Sequence, residues 1–202
     1  MPAQIVDVRV PRSPQGVVLV LHGGASRPGH AAVSPTQLSV LRMIPVARRV
    51  ARAGRGRLAV FRLLNTARGW DTEHTPVGDA TWAVERLAER LGDLPVALVG
   101  HSLGGRAALL AGTADPVRAV VALNPWVYAS DDVDLSGRRV LVVHGTDDRI
   151  ADPARSRRVA DRISRRTDVT WLDVSGGKHA MLRHGPSFER PAARFVVGSL
   201  LP

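Results

Sequence analysis

Residues 99–105 read Val99-Gly100-His101-Ser102-Leu103-Gly104-Gly105, a Gly-x-Ser-x-Gly turn entered from the apolar run 95–99 and left through the Ala/Leu-rich run 103–112. A serine hydroxyl is a poor nucleophile unless it is lifted clear of a sheet, offered to a base and set where negative charge is supported. Gly100 and Gly104 suit the first requirement, because a Cβ at either position would meet neighbouring backbone in so tight a turn. A helix beginning near Leu103 suits the last, since its free N–H groups face the reacting group. An ordinary loop serine is the competing reading, and the strand before and helix after Ser102 argue against it.

Working outward, short β-branched runs alternate with longer amphipathic ones, which predicts an α/β domain with a mostly parallel sheet and helices on both faces. Strands are expected over 4–10, 16–21, 58–64, 95–99, 117–123, 139–143 and 169–174. The first alternates and leads into the Pro-rich turn 11–16, so it reads as an edge strand paired by a hairpin to a second strand buried on both faces. Helices are expected over 36–53 with a kink or break at Pro45, over 79–91 with Asp79 as N-cap, and over 103–112, 155–165 and 187–200. Asp152 reads as the N-cap of the helix that follows it. No repeat, linker or low-complexity stretch interrupts the pattern, so residues 1–202 read as one domain.

The chain has 202 residues, a formal charge of +10 and no cysteine. That length can bury roughly 70% of its unfolded surface in one core. Without cysteine, a disulfide scaffold, a thiolate metal site and a cysteine nucleophile are all excluded. All 28 cations except Lys178 are arginine. Such a balance raises nucleic acid or an anionic surface as partners. The arginines are spread from Arg9 to Arg194, however. Their densest group (Arg155, Arg157, Arg158, Arg162, Arg165, Arg166) reads as one solvated helix face, with Ala154, Val159 and Ile163 turned elsewhere. No stacking motif accompanies it, so no specific nucleic-acid partner is expected. The N-terminus lacks the pattern of a signal peptide, no apolar run approaches the ~20 residues of a membrane span, and a cytoplasmic protein is the default expectation.

Other polar stretches fall at strand ends. His22-Gly23-Gly24 follows the second strand and by itself is a glycine turn. Asp147 and Asp148 follow the strand 139–143 and compete for the role of an acid. His179, in Ser175-Gly176-Gly177-Lys178-His179, follows the last strand through glycines that let the chain bend back over the sheet. His184 is its rival and lies in a surface turn. His30 and His74 read as loop residues, His22 and His144 as structural, and His101 as packing or lining the cleft.

Together these segments resemble the α/β-hydrolase family, in that family's order and over nearly the whole chain. The resemblance implies Ser102 as nucleophile, His179 as base and Asp148, by the His-Gly-x-x-Asp spacing from His144, as its orienting acid. It implies an oxyanion hole from the N–H groups of Gly24 and Leu103, acyl transfer to water, and no metal or organic cofactor. Only residues 124–138 lie where larger relatives carry a helical cap, so the chain looks like a small, capless, esterase-like member with an open site. The expected substrate is a small-molecule carboxylic ester. Thioesterase and small serine peptidase are the alternatives that share the machinery, and a non-catalytic binding scaffold is the rival from another class. Trp126 and Tyr128 stand where a pocket wall belongs, although aromatics sealing the sheet's end are an equal reading. Arg27, on the rim 25–35, and Arg68, before Trp70, could favour an anionic substrate.

Overall fold

The computed structural model describes residues 2–24 and 31–201. Its strands are β1 (Gln4–Arg9), β2 (Gly16–Leu21), β3 (Leu58–Leu64), β4 (Val96–His101), β5 (Val117–Leu123), β6 (Arg139–Gly145) and β7 (Asp168–Val174). Its helices are α1 (Leu38–Leu41), α2 (Met43–Ala53), α3 (Thr75–Leu91), α4 (Leu103–Ala111), α5 (Pro153–Ile163) and α6 (Gly185–Leu200). The seven strands form one sheet in the order β1-β3-β2-β4-β5-β6-β7. Every neighbouring pair is parallel except β1 with β3.

Successive side chains on a strand point to opposite faces, so an all-apolar strand feeds two cores at once. On β2, Val17, Leu19 and Leu21 join a cluster with Ala80, Val84 and Leu87 of α3, Ala107 of α4 and Val159 of α5. Val18 and Val20 join the opposite cluster with Val46 and Val50 of α2 and Ala192 and Val196 of α6. The central strands therefore lie dry between two helical layers, and polar strand ends are the places where chemistry can surface.

Three local expectations are corrected. β1 lies at the edge, but it pairs antiparallel with β3 (Gln4 opposite Leu64) and forms no hairpin with β2. The reason is that β2, buried at all six positions, takes parallel neighbours on both sides, β3 and β4. The helical stretch expected over 36–53 is two helices that meet at Arg42, three residues before Pro45. Pro45 sits in the first turn of α2, where its missing N–H has no partner to lose. α3 starts at Thr75 with Pro76 in its first turn, so Asp79 is inside the helix and not its cap. The Asp79 carboxylate instead accepts from the Thr66 N–H at 2.7 Å and the Thr66 hydroxyl at 2.8 Å, fixing the loop after β3.

Asp152 does cap α5, accepting from the Ala154 N–H at 2.9 Å. On α5, Val159 and Ile163 are buried as expected, whereas Ala154 is exposed and Ser156 takes the buried place. Residues 124–138, between β5 and β6, contain neither helix nor strand, so among the described residues no cap is inserted there. No helix among the described residues is long and apolar enough to cross a membrane.

Candidate active site

Ser102 links β4 to α4 with φ 58° and ψ −123°, a left-handed conformation that a serine adopts only when its surroundings impose it. The glycines on either side make the turn possible. A Cβ on Gly100 would stand 2.0 Å from the Gly104 carbonyl oxygen, and one on Gly104 would stand 2.5 Å from the His22 carbonyl oxygen. No side chain fits at either distance.

Three sheet-end loops converge on this turn. His179 Nε2 lies 3.0 Å from Ser102 Oγ, and His179 Nδ1 lies 2.8 Å from Asp148 Oδ2. Asp148 Oδ1 accepts from the N–H groups of Ile150 and Ala151, both at 2.9 Å. His144 Nε2, 3.5 Å from Asp148 Oδ2, adds a fourth polar neighbour and also donates to the Ala151 carbonyl at 3.2 Å. Burial alone would push the Asp148 carboxyl up. The hydrogen bonds from His144, His179 and the two amides outweigh it and hold the group well below the usual carboxylate range. Asp147 is exposed, its carboxylate accepts from the Thr146 hydroxyl at 3.3 Å, and its N–H donates to the Gly177 carbonyl at 3.0 Å. His184 precedes α6, beside Gly176, and is not brought to Ser102.

The His179 backbone is itself held. His101, fully buried, donates from Nε2 to the His179 carbonyl at 2.8 Å, and the two rings lie 4.9 Å apart. Burial, with the charges of His179 and Arg42 adding, drives the His101 pKa down to about 3, so its ring is neutral and a fixed donor. Asn124, at the end of β5 with φ 42°, donates to the carbonyls of Lys178 and His179 at 3.2 Å each and accepts from the Gly145 N–H at 2.8 Å. One amide thus ties the loop of His179 to the end of β6, from which Asp148 departs. None of these bonds is legible from spacing, because Asn124 stands in no spaced pattern with Gly145, Lys178 or His179.

Gly23, Gly24 and Leu103 line the cleft beside Ser102. Gly23 comes so near that a Cβ there would lie 2.9 Å from Ser102 Cβ. His22 is buried and structural, donating from Nδ1 to the Gly23 carbonyl at 2.6 Å and accepting at Nε2 from the Asn65 N–H at 3.2 Å.

The cleft encloses about 990 Å³, and Trp70, His74, Trp126 and Tyr128 make its aromatic wall. Trp126 and Tyr128 meet edge to face at 4.9 Å. Behind them is a residue that the sequence reading missed. Arg106 of α4 is buried, with its guanidinium 4.1 Å from the Trp70 ring centre and 4.3 Å from that of Tyr128. It donates twice to Asp131, from Nε and Nη2, both at 2.7 Å. A single cation in the otherwise apolar stretch 103–111 was the available signal, since such a charge needs a buried partner. Arg27 lies outside the described residues. Arg68 is not among the described residues that line the cleft; its stem packs behind Gly24, and among the described arginines Arg42 lines it. No group of three or more His, Asp or Glu among the described residues is placed to hold a metal ion.

A sheet of this order, with an antiparallel edge strand and a serine turn between a central strand and its helix, is the α/β-hydrolase fold. Solved structures bear out that assignment. The chain superposes on an α/β serine hydrolase without a lid from Xanthomonas campestris with a TM-score of 0.72 at 18% identity, covering 99% of this chain and 89% of that one. It is similar to Est1E from Butyrivibrio proteoclasticus (TM-score 0.69, 15% identity, 98% and 93% covered), which has also been solved with ferulic acid bound. A monoacylglycerol lipase from Paleococcus ferrophilus matches with a TM-score of 0.67 at 20% identity, over 98% of this chain and all of that one. No sequence-family model and no curated protein matches the chain.

Proposed function

We propose that the protein is a serine hydrolase that cleaves carboxylic esters of small or medium acyl groups. One observation carries the reading: an unbroken hydrogen-bonded line from Ser102 Oγ through His179 to Asp148, with its serine end open to the cleft. Ser102 Oγ attacks the ester carbonyl carbon while its proton passes to His179 Nε2. Asp148, ionised across the working pH range, holds the ring with Nδ1 protonated and stabilises the imidazolium. The N–H groups of Gly24 and Leu103 receive the oxyanion. Collapse expels the alcohol, which takes the proton from His179. A water deprotonated by the same ring then attacks the acyl-enzyme and releases the acid and free Ser102. Asn124 and His101 act through His179, by fixing the backbone from which its ring projects.

The uncapped cleft and its aromatic wall of Trp126 and Tyr128 suit small esters, and the solved relative with ferulic acid bound agrees with that choice. The test is hydrolysis of a short-chain aryl ester, an acyl thioester and an aminoacyl amide by the wild type and by Ser102→Ala. Ester turnover that exceeds the other two and falls by at least about 10³-fold in the variant is expected. Equal residual activity in Ser102→Ala would remove the serine mechanism, and a preference for the thioester or amide would move the protein to those alternatives.

A further inference from the structure

Arg42 stands where α1 meets α2 and lines the cleft that holds Ser102. Its side chain is half-buried, and burial pulls its pKa down. Its Nε is buried without a hydrogen-bond partner, and its guanidinium forms no ion pair with any described carboxylate. Two carboxylates that line cavities with Arg42 are engaged elsewhere. Glu189, which shares a shallow apolar groove with Arg42, is bonded to Arg49 at 2.8 Å. Asp71, on the cleft wall, accepts from the Thr75 N–H at 2.8 Å. Arg42 shares the lining of that cleft with Ser102, His101 and His179. One turn earlier on the same side, Ser39 also lines the cleft; its hydroxyl accepts from Gln37 Nε2 at 2.8 Å and so keeps its own proton to donate.

A half-buried guanidinium without a counter-ion costs the folded state desolvation energy that nothing within the protein returns. Arginine also presents its donors as a planar fork matched to a carboxylate. We propose that Arg42, with Ser39 beside it, is an anion-recognition subsite, and that the preferred substrates are esters carrying a second, free carboxylate, such as half-esters of dicarboxylic acids. This inference rests on the reading of the cleft as an ester-hydrolase site. The ester carbonyl lies at Ser102 while the free carboxylate is held by Arg42, so the subsite contributes to substrate choice and takes no part in bond breaking.

Two 4-nitrophenyl esters of similar length test it, the half-ester of glutaric acid and the neutral valerate. In the wild type kcat/KM for the half-ester exceeds that for valerate by about tenfold or more, the worth of one charge-assisted contact. In Arg42→Met the ratio of the two kcat/KM values falls to about one, and thermal stability is equal or higher because the uncompensated cation is gone. Arg158→Met, which removes the same charge from the exposed face of α5, leaves the preference intact and so excludes the overall positive field as its cause. A wild-type ratio at or below one, an equal loss for both esters in Arg42→Met, or an equal effect of Arg158→Met would overturn the proposal. If neither ester is hydrolysed, the hydrolase reading has failed separately. Calorimetric binding of monomethyl glutarate then decides, since binding that Arg42→Met abolishes upholds the anion subsite and absent or unchanged binding sinks it.

Discussion

At the scale of single residues, His101 links stability to the geometry of the site. In the unfolded chain this histidine takes up a proton near pH 6.5, while in the folded protein burial keeps it neutral down to about pH 3. Its folded pKa is depressed, so its contribution is intact above pH 6.5 and is lost as the pH falls toward 3. The expected slope is on the order of 1 kcal/mol per pH unit. His22, also buried, shifts in the same direction. Urea denaturation from pH 7 to pH 4.5 should therefore show steadily falling stability, and His101→Gln, which keeps a donor but cannot titrate, should flatten the fall. An unchanged slope in that variant would mean that His101 is protonated in the fold. The meeting of Ser102, Asp148 and His179 was legible in the sequence because each follows a strand with glycines or the family's spacing nearby, and for Ser102 and Asp148 that strand is buried. The roles of Asn124, whose partners are tens of positions away, and of Arg42 were not, because neither stands in a spaced pattern. Arg27 and Arg68 drew attention for their charge alone, which does not say where a long side chain will lie.

At the scale of elements, the Arg106–Asp131 pair joins three segments that have no contact in sequence. Arg106 belongs to α4, Asp131 to the segment after β5, and the rings it supports, Trp70 and Tyr128, come from the segments after β3 and after β5. Asp131 Oδ2 also accepts from the Tyr128 N–H at 2.9 Å, so the carboxylate shapes its own loop. Breaking a buried pair by removing one partner leaves a stranded charge and costs about 3–5 kcal/mol. Arg106→Met should lose about that much in chemical denaturation and should raise KM for aromatic esters as the wall loosens. Adding Asp131→Asn in the same chain should recover a large part of the stability but not the wall. Loss confined to KM, with stability unchanged, would show that the pair is not buried in solution. The strands were legible within a few residues because apolar runs bounded by Gly and Pro have few other readings. The pairing of β1 was not, since a short turn allows a hairpin without requiring one and the choice is made by the competition of β3 and β4 for β2. The start of α3 was visible in Thr75-Pro76, a signal masked by the acidic residue four positions later.

At the scale of the whole molecule, the charge of +10 resolves into local uses. Arg157 pairs with Asp161 and lies over Trp171, Arg162 donates to the carbonyls of Ala129 and Asp131, and Arg166 pairs with Asp132. Arg162 of α5 and Arg166 just beyond it thus hold the segment between β5 and β6. The remaining positive field draws anions toward the molecule, and Arg42 gives one of them a place beside the serine. The uncapped sheet end leaves Ser102 reachable from solvent through the cleft, which makes the central claim open to a direct chemical test. A fluorophosphonate probe, followed by intact-mass and peptide mass spectrometry, reads whether Ser102 is activated. One adduct per chain on Ser102, absent in Ser102→Ala and slowed by at least about 10³-fold in His179→Ala, is the expected result. No adduct on Ser102, or labelling as fast in His179→Ala as in the wild type, would contradict the assignment of Ser102 and His179 as nucleophile and base.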